Sequence, residues 1–302
     1  MKSKMENILN SEQMEQMEQP PKGEKIATYS QTRRLLEKYS HTPVKSFGQN
    51  FLVDSHVLDK IIRGANITAA DHVLEIGAGL GGLTQALLER TSHVTAVELD
   101  KRLAAALHEI LPAAQIVNMD IMDYEIPSGI NKIVANLPYY LTTPIIMQLL
   151  ESYRFQSITV MVQKEVAQRM VSRCNAKKNA KGDKTHGALS LAIEYYANAE
   201  IIAYVPTNSF LPRPTVGSAV VHMDILQAPK VTADKAALFA NIKAGFSKRR
   251  KTLVNALYSA ELYNLTKDEL AALLVSCNFS ESIRAEELTL QDWAVLTGRL
   301  GT

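Results

Sequence analysis

A chain of 302 residues, 46% apolar and 21% charged, has a globular balance and the length for one large core with a smaller unit attached, which excludes fibrous and wholly disordered designs. A net charge of +2 provides no general field for a polyanion, so contact with nucleic acid must rest on local clusters of cations. Cys174 and Cys277 show no CxxC or Cys/His spacing, and no run of about 18 apolar residues or basic-then-apolar leader occurs, which argues against a disulfide scaffold, a zinc site, a membrane span and a secretory signal.

Residues 1–28 repeat Met-Glu-Gln near Met14 and Met17 and pass through Pro20-Pro21 and Gly23 without apolar periodicity, so a disordered tail is expected there. Asp54 is an N-cap for a helix that carries Val57, Leu58, Ile61, Ile62 and Ala65 on one face. Beyond it, short β-branched runs alternate with helical patterns: Val73 to Ile76, Val94 to Val97, Gln115 to Asn118, Lys132 to Ala135 and Ile158 to Val162. That alternation predicts a doubly wound α/β sheet. Glu200 to Val205 and Ser218 to Met223 follow without a helix-length segment between them and predict an antiparallel hairpin at one sheet edge. Seven strands with this ending predict the Rossmann-like methyltransferase fold over residues 29–225. Leu226 to Thr232 reads as a linker. From Phe239 through Ile242, Phe246, Leu253 and Leu257 to Leu274 the pattern is purely helical, so residues 226–302 are expected to form a small all-α C-terminal domain, with Trp293 in its core.

The first strand of the sheet ends in Glu75-Ile76-Gly77-Ala78-Gly79-Leu80-Gly81-Gly82, a turn whose glycines let a ligand lie against the backbone at a helix N-terminus. Alone, Gly77, Gly79 and Gly82 fit a dinucleotide site equally well. Glu98, at the end of the next strand about twenty residues on, is placed to accept hydrogen bonds from both hydroxyls of a ribose. Asp120 ends the third strand, where its carboxylate can accept from an adenine amine or serve as a turn residue. Together these residues describe a site for an adenosine-containing cofactor.

Asn136-Leu137-Pro138-Tyr139 ends the fourth strand, at the carboxyl edge where α/β folds bind ligands. An aromatic amine is a weak nucleophile because its lone pair is delocalised into the ring. Accepting hydrogen bonds from both its protons, by the Asn136 side-chain oxygen and a carbonyl in Leu137-Pro138, favours the pyramidal reactive form without a general base. Pro138 fixes its φ and helps to turn that carbonyl toward the pocket. Tyr139 is positioned to stack on the base. A basic run, Lys248-Arg249-Arg250-Lys251, spreads four cations around a helix and is expected to contact RNA phosphates. A second, Arg173 to His186 with Lys177, Lys178, Lys181 and Lys184, reads as a solvated loop or as a further contact to RNA backbone. The seven histidines show no ligand spacing.

Ser46-Phe47-Gly48-Gln49-Asn50-Phe51-Leu52, the glycine turn, Val97-Glu98-Leu99-Asp100, Asn136-Leu137-Pro138-Tyr139-Tyr140, Val162-Gln163-Lys164-Glu165-Val166 and Phe210-Leu211-Pro212-Arg213-Pro214 resemble, in that order, the KsgA-type small-subunit ribosomal RNA adenine dimethyltransferases. The resemblance runs from about residue 40 to the C-terminus. It implies S-adenosylmethionine as cofactor, no metal, and binding roles for Asn50 and Leu52 beside Gly77, Gly79, Glu98, Asp120 and Asn136. It also implies that Phe210 supplies a second ring to the target adenine, opposite Tyr139, as an enzyme acting on an unstacked base requires. The implied substrate is two adjacent adenosines near the 3′ end of small-subunit (16S) ribosomal RNA in an immature 30S particle, dimethylated by a cytoplasmic protein expected to be a monomer. The sequence departs from the family in Ala78, where proline is usual, and in the longer segment from Arg173. The related large-subunit dimethylases of macrolide resistance share fold and chemistry, but Leu137, Tyr139-Tyr140 and Arg249-Arg250-Lys251-Thr252-Leu253 look closer to the small-subunit enzymes. A DNA adenine methyltransferase would need a recognition insert that is not recognisable here. A methyltransferase-like assembly factor would not need the intact cofactor and Asn-Leu-Pro-Tyr residues.

Overall fold

Strands buried on both faces need apolar residues throughout, whereas the helices that cover them need only one apolar face. In the computed structural model, which describes residues 24–44, 48–152, 154–172, 186–248 and 250–301, the β-branched runs meet that requirement and assemble into one seven-stranded sheet. Among the described residues the first elements are helix α1 (Tyr29–Lys38), strand β1 (Phe51–Leu52) and helix α2 (Ser55–Gly64). The chain continues as β2 (Val73–Ile76), α3 (Gly82–Leu88), β3 (Val94–Glu98), α4 (Lys101–Ile110), β4 (Gln115–Asn118), β5 (Lys132–Asn136), α5 (Thr142–Ser152), β6 (Ser157–Gln163) and α6 (Lys164–Met170). Then come α7 (Ala188–Tyr196), β7 (Ala197–Val205), β8 (Phe210–Leu211) and β9 (Ser218–Ile225). The helices α8 (Lys235–Phe246), α9 (Leu253–Ser259), α10 (Lys267–Ser276) and α11 (Leu290–Leu300) complete the chain.

The strand order is β4-β3-β2-β5-β6-β9-β7. The first five strands are parallel, and β9 runs antiparallel between β6 and β7. From β2 the chain moves outward to β3 and β4, then returns to the other side of β2 as β5, which creates a switch point at the carboxyl ends of β2 and β5. Asp54 caps α2 by accepting from the His56 and Val57 N–H groups, as its position predicts.

Two features of the N-terminal segment depart from expectation. Ile26 and Ala27, within the predicted tail, are buried, and the Ile26 N–H donates to Gln85 Oε1 at 2.9 Å. An isolated apolar pair has no period to reveal it. Residues 1–23 lie outside the described residues. The second departure is a short antiparallel ribbon, β1 with β8, which pairs Phe51 with Leu211 and Leu52 with Phe210. At the other end, Leu238, Ile242 and Trp293 of the C-terminal helices share one apolar cluster with Leu191, Tyr195 and Tyr196 of α7. Trp293 is fully buried and lies over Gly245, where a Cβ would collide with its ring.

Candidate active site

A cleft opens at the switch point. Its floor is the turn after β2, where Gly77, Gly79 and Gly81 adopt φ values of 75°, 60° and 87°, a region that side chains with a Cβ avoid. At Gly79 a Cβ would also stand 3.2 Å from the Phe51 ring, so the segment 48–52 rests on the turn itself. The β1–β8 ribbon anchors that segment on one side and Gln49 on the other. Gln49 Oε1 accepts the Val44 N–H at 2.8 Å, and its Nε2 donates to Asp100 Oδ2 at 3.1 Å.

Three carboxyl groups face the cleft: Glu75, Glu98 and Asp120. Glu98 braces the glycine turn, its Oε2 accepting from the Gly79 N–H at 2.7 Å and its Oε1 from the Asp100 N–H at 2.9 Å. Burial raises the pKa of Glu98, and these two hydrogen bonds oppose the rise. Each carboxylate oxygen keeps a second lone pair for a ligand. Asp120 Oδ1 accepts from the Met122 N–H at 2.9 Å. Glu75 is 1% exposed, and its Oε2 has no hydrogen-bond partner. Among the described residues no Lys, Arg or His lines the cleft, while Leu99 and Met119 form an exposed apolar rim. Three acids without a base suit a cationic nucleoside and oppose a pyrophosphate. That composition, with the orphaned Glu75 oxygen and the glycine cradle, fits S-adenosylmethionine and resolves the ambiguity of the glycines taken alone.

Asn136, Leu137, Pro138 and Tyr139 form the opposite wall. Asn136 Nδ2 donates to the Asn50 carbonyl at 3.2 Å. A carbonyl can only accept, so this bond sets the amide's orientation and leaves Oδ1 as its acceptor end. The Pro138 carbonyl already accepts from the Leu141 N–H at 3.1 Å and the Thr142 hydroxyl at 3.2 Å, which starts α5. Among the described residues the Leu137 carbonyl accepts no such bond. Tyr139 is partly buried, and its hydroxyl lies 2.9 Å from Ser218 Oγ at the start of β9. Burial is also the main cause of its raised pKa.

Asn50, Leu52, Gly77, Gly79, Glu98, Asp120 and Asn136 are thus brought together with Leu137, Pro138 and Tyr139 around one cleft. Phe210 is not. It is 2% exposed and packs with Val57, Leu58, Val205 and Val220, so neither face of its ring is open to a base. Pairing of β8 with β1 turns it into the core, so in this structure the ring expected to stack on the base packs there instead of lining the cleft. Glu75, to which the sequence alone assigns no role, joins the site. An acid inside a strand buried at every position is the signal that could have found it.

A second cleft lies between α6 and the C-terminal helices. Lys248 and Lys251 line it with Arg169, Arg284, Glu165 and Glu286. Arg250 is exposed beside them, and Arg249 lies outside the described residues, as do residues 173–185 of the basic loop. Arg169 and Arg284 are lone cations far apart in sequence, and only the fold brings them to this cluster.

Comparison with known proteins places these features in a family. The pattern of the ribosomal RNA adenine dimethylases matches residues 40–292. The ribosomal RNA small subunit methyltransferase A of Alkaliphilus oremlandii is 41% identical over 290 residues, covering 92% of this chain and 98% of the relative. Its counterpart from Lachnoclostridium phytofermentans is 45% identical over 280 residues, 88% of this chain and 94% of the relative. Among solved structures, a dimethyladenosine transferase from Plasmodium falciparum superposes with a TM-score of 0.67 at 26% identity over 81% of this chain and 95% of that one. The 23S rRNA methyltransferase ErmE gives 0.62 at 24% identity over 84% and 100%, a likeness of fold. The chain belongs to the ribosomal RNA adenine dimethylase family.

Proposed function

We propose that the protein dimethylates the exocyclic amines of two adjacent adenosines near the 3′ end of small-subunit ribosomal RNA, with the immature 30S particle as its substrate. The observation that carries the chemistry is the hydrogen bond from Asn136 to the Asn50 carbonyl, which points the amide's acceptor end at the substrate. The choice of the small-subunit RNA rests on the relatives named for it, which are 41% and 45% identical along nearly their whole length.

S-adenosylmethionine supplies the electrophilic methyl group. In this reading Gly77 and Gly79 let it approach the backbone, Glu98 accepts from its ribose hydroxyls and Asp120 from its adenine amine. Asn50 and Leu52 cover it. Asn136 Oδ1 and the Leu137 carbonyl accept from the two N–H groups of the target amine, drawing its lone pair out of conjugation. The Pro138 carbonyl is occupied at the start of α5, which selects Leu137 for this role. Tyr139, with its hydroxyl on Ser218, stacks on the base, an interaction worth about 1–3 kcal/mol. Lys248, Arg249, Arg250 and Lys251 hold backbone phosphates, assisted by Arg169 and Arg284.

Unmethylated small and large ribosomal subunits, incubated separately with the protein and methyl-labelled cofactor, test the assignment. Label should enter the small subunit alone; preferential labelling of the large subunit would overturn it.

A further inference from the structure

The edge of the sheet that bears Asn136 continues through the end of β6, the start of β9 and the end of β7. Gln163 pairs there with Ser218, and Ser218 with Val205. Tyr139, whose hydroxyl lies 2.9 Å from Ser218 Oγ, therefore shares this edge with Lys164 and Tyr204. The Lys164 N–H donates to the Gly217 carbonyl at 2.9 Å, which fixes the backbone that carries its side chain. Lys164 Nζ lies over the Tyr204 ring, 5.5 Å from its centroid. Both side chains are exposed, and Tyr204, at 57%, buries too little to serve the core. Its contact of consequence is the one with the ammonium. Among the described residues no carboxylate pairs with Lys164. The adjacent acid, Glu165, lines the basic cleft, and neighbouring residues of a helix do not face each other. The cation is thus held in place without being neutralised.

Helix α6 links the two clefts. Lys164, its first residue, stands beside the proposed target site, and Arg169, about 7.5 Å further along the axis, lines the basic cleft with Lys248, Lys251 and Arg284. An RNA strand whose target base reaches Tyr139 and whose phosphates reach that cleft passes over the head of α6. We infer that Lys164, steadied by Tyr204, holds a backbone phosphate of this strand, between the target adenosine and the basic cleft. The inference rests on the RNA substrate proposed above. An ammonium is a compact charge with three donors on a flexible stem, able to follow a phosphate that is not held in one orientation. The ring restrains that stem beforehand and so lowers the conformational freedom lost on binding. Lys164 touches the substrate, and Tyr204 is a positioning residue that acts through it.

Binding of unmethylated small subunits across a salt series counts the phosphate. Lys164→Gln should reduce the slope of log affinity against log salt by roughly 0.7–0.9, with melting temperature and S-adenosylmethionine affinity at their wild-type values. In single-turnover methylation the protein concentration that gives half the maximal rate should rise, with a much smaller effect on the maximal rate, because the phosphate is held alike before and during methyl transfer. Tyr204→Ala should weaken binding less, Tyr204→Phe should match wild type, and Tyr204→Ala should add nothing once Lys164 is replaced. Lys267, 5.1 Å from the centroid of the Tyr258 ring and outside both clefts, forms the same kind of pair. Lys267→Gln should leave the slope unchanged. Equal slopes for Lys164→Gln and wild type would overturn the inference, as would an equal drop in Lys267→Gln. A loss from Tyr204→Ala that persists in the Lys164→Gln protein would overturn the positioning role. Failure of wild type to bind the small subunit would refute the RNA reading itself, whereas salt-dependent binding with an unchanged slope in Lys164→Gln refutes only the contact given to Lys164.

Discussion

Asn136, at the end of β5, donates from Nδ2 to the carbonyl of Asn50 in the segment that covers the cleft, at 3.2 Å. The bond couples the covering segment to the residue proposed to receive the target amine, and it leaves Oδ1 as the acceptor end of that amide. Replacing Asn136 by Ala removes the acceptor. Single-turnover methylation should fall by about 100- to 1000-fold, as when one preorganised hydrogen-bonding group is removed from an active site. RNA affinity should be unchanged, because the cations proposed to hold phosphates line a separate cleft. Asn136→Asp keeps an acceptor but sets a second oxygen against the Asn50 carbonyl, and should be nearly as inactive. Turnover near wild type in either variant would contradict the mechanism.

Glu98 supports both the glycine turn and the proposed ribose site. Glu98→Ala removes the acceptors of the Gly79 and Asp100 N–H groups, each bond to a charged acceptor contributing about 1.5–3 kcal/mol. Affinity for S-adenosylmethionine should drop at least about tenfold by calorimetry, and the melting temperature should fall with it. A folded variant that binds as tightly as wild type would remove the assignment.

Tyr139 and Phe210 should respond in opposite ways. Tyr139→Ala should lose single-turnover rate by the equivalent of about 1–3 kcal/mol of stacking while leaving the melting temperature close to wild type. Phe210→Ala deletes a ring from the core, at a cost of about 3–5 kcal/mol of stability. Activity per folded molecule should persist below its lowered melting temperature. A stable but inactive Phe210→Ala protein would restore the stacking role.

The basic cleft is tested by salt. Replacing Lys248, Lys251, Arg169 and Arg284 with Gln should reduce the slope of log affinity against log salt by roughly 0.7–0.9 for each RNA phosphate that is no longer neutralised. Cofactor affinity should not move. Equal slopes for variant and wild type would make the cluster a solvated face.

What can be read in advance follows from how much pattern each element carries. The strands from Val73 to Gln163 are short, mainly β-branched runs between turn residues, and the Asp54 cap opens a helix with one apolar face, so both are predictable. The β1–β8 ribbon is not, because two-residue strands have no period and Phe51 and Leu211 are far apart in the chain. That ribbon also decides Phe210: resemblance gives its ring a base, but the register that pairs it with Leu52 sends the ring inward. Glu75 is easily overlooked because its motif stands out for its glycines. The choice between the Leu137 and Pro138 carbonyls needs the start of α5, where Leu141 and Thr142 claim the second of them.

The central claim is tested most directly by the nucleosides themselves. Unmethylated small subunits treated with the protein and S-adenosylmethionine, digested and analysed by mass spectrometry, should yield N6,N6-dimethyladenosine at two adjacent positions near the 3′ end of the small-subunit RNA. The Asn136→Ala protein should yield none. Unmodified adenosine at those positions after wild-type treatment, or methyl groups on any other base, would contradict the account.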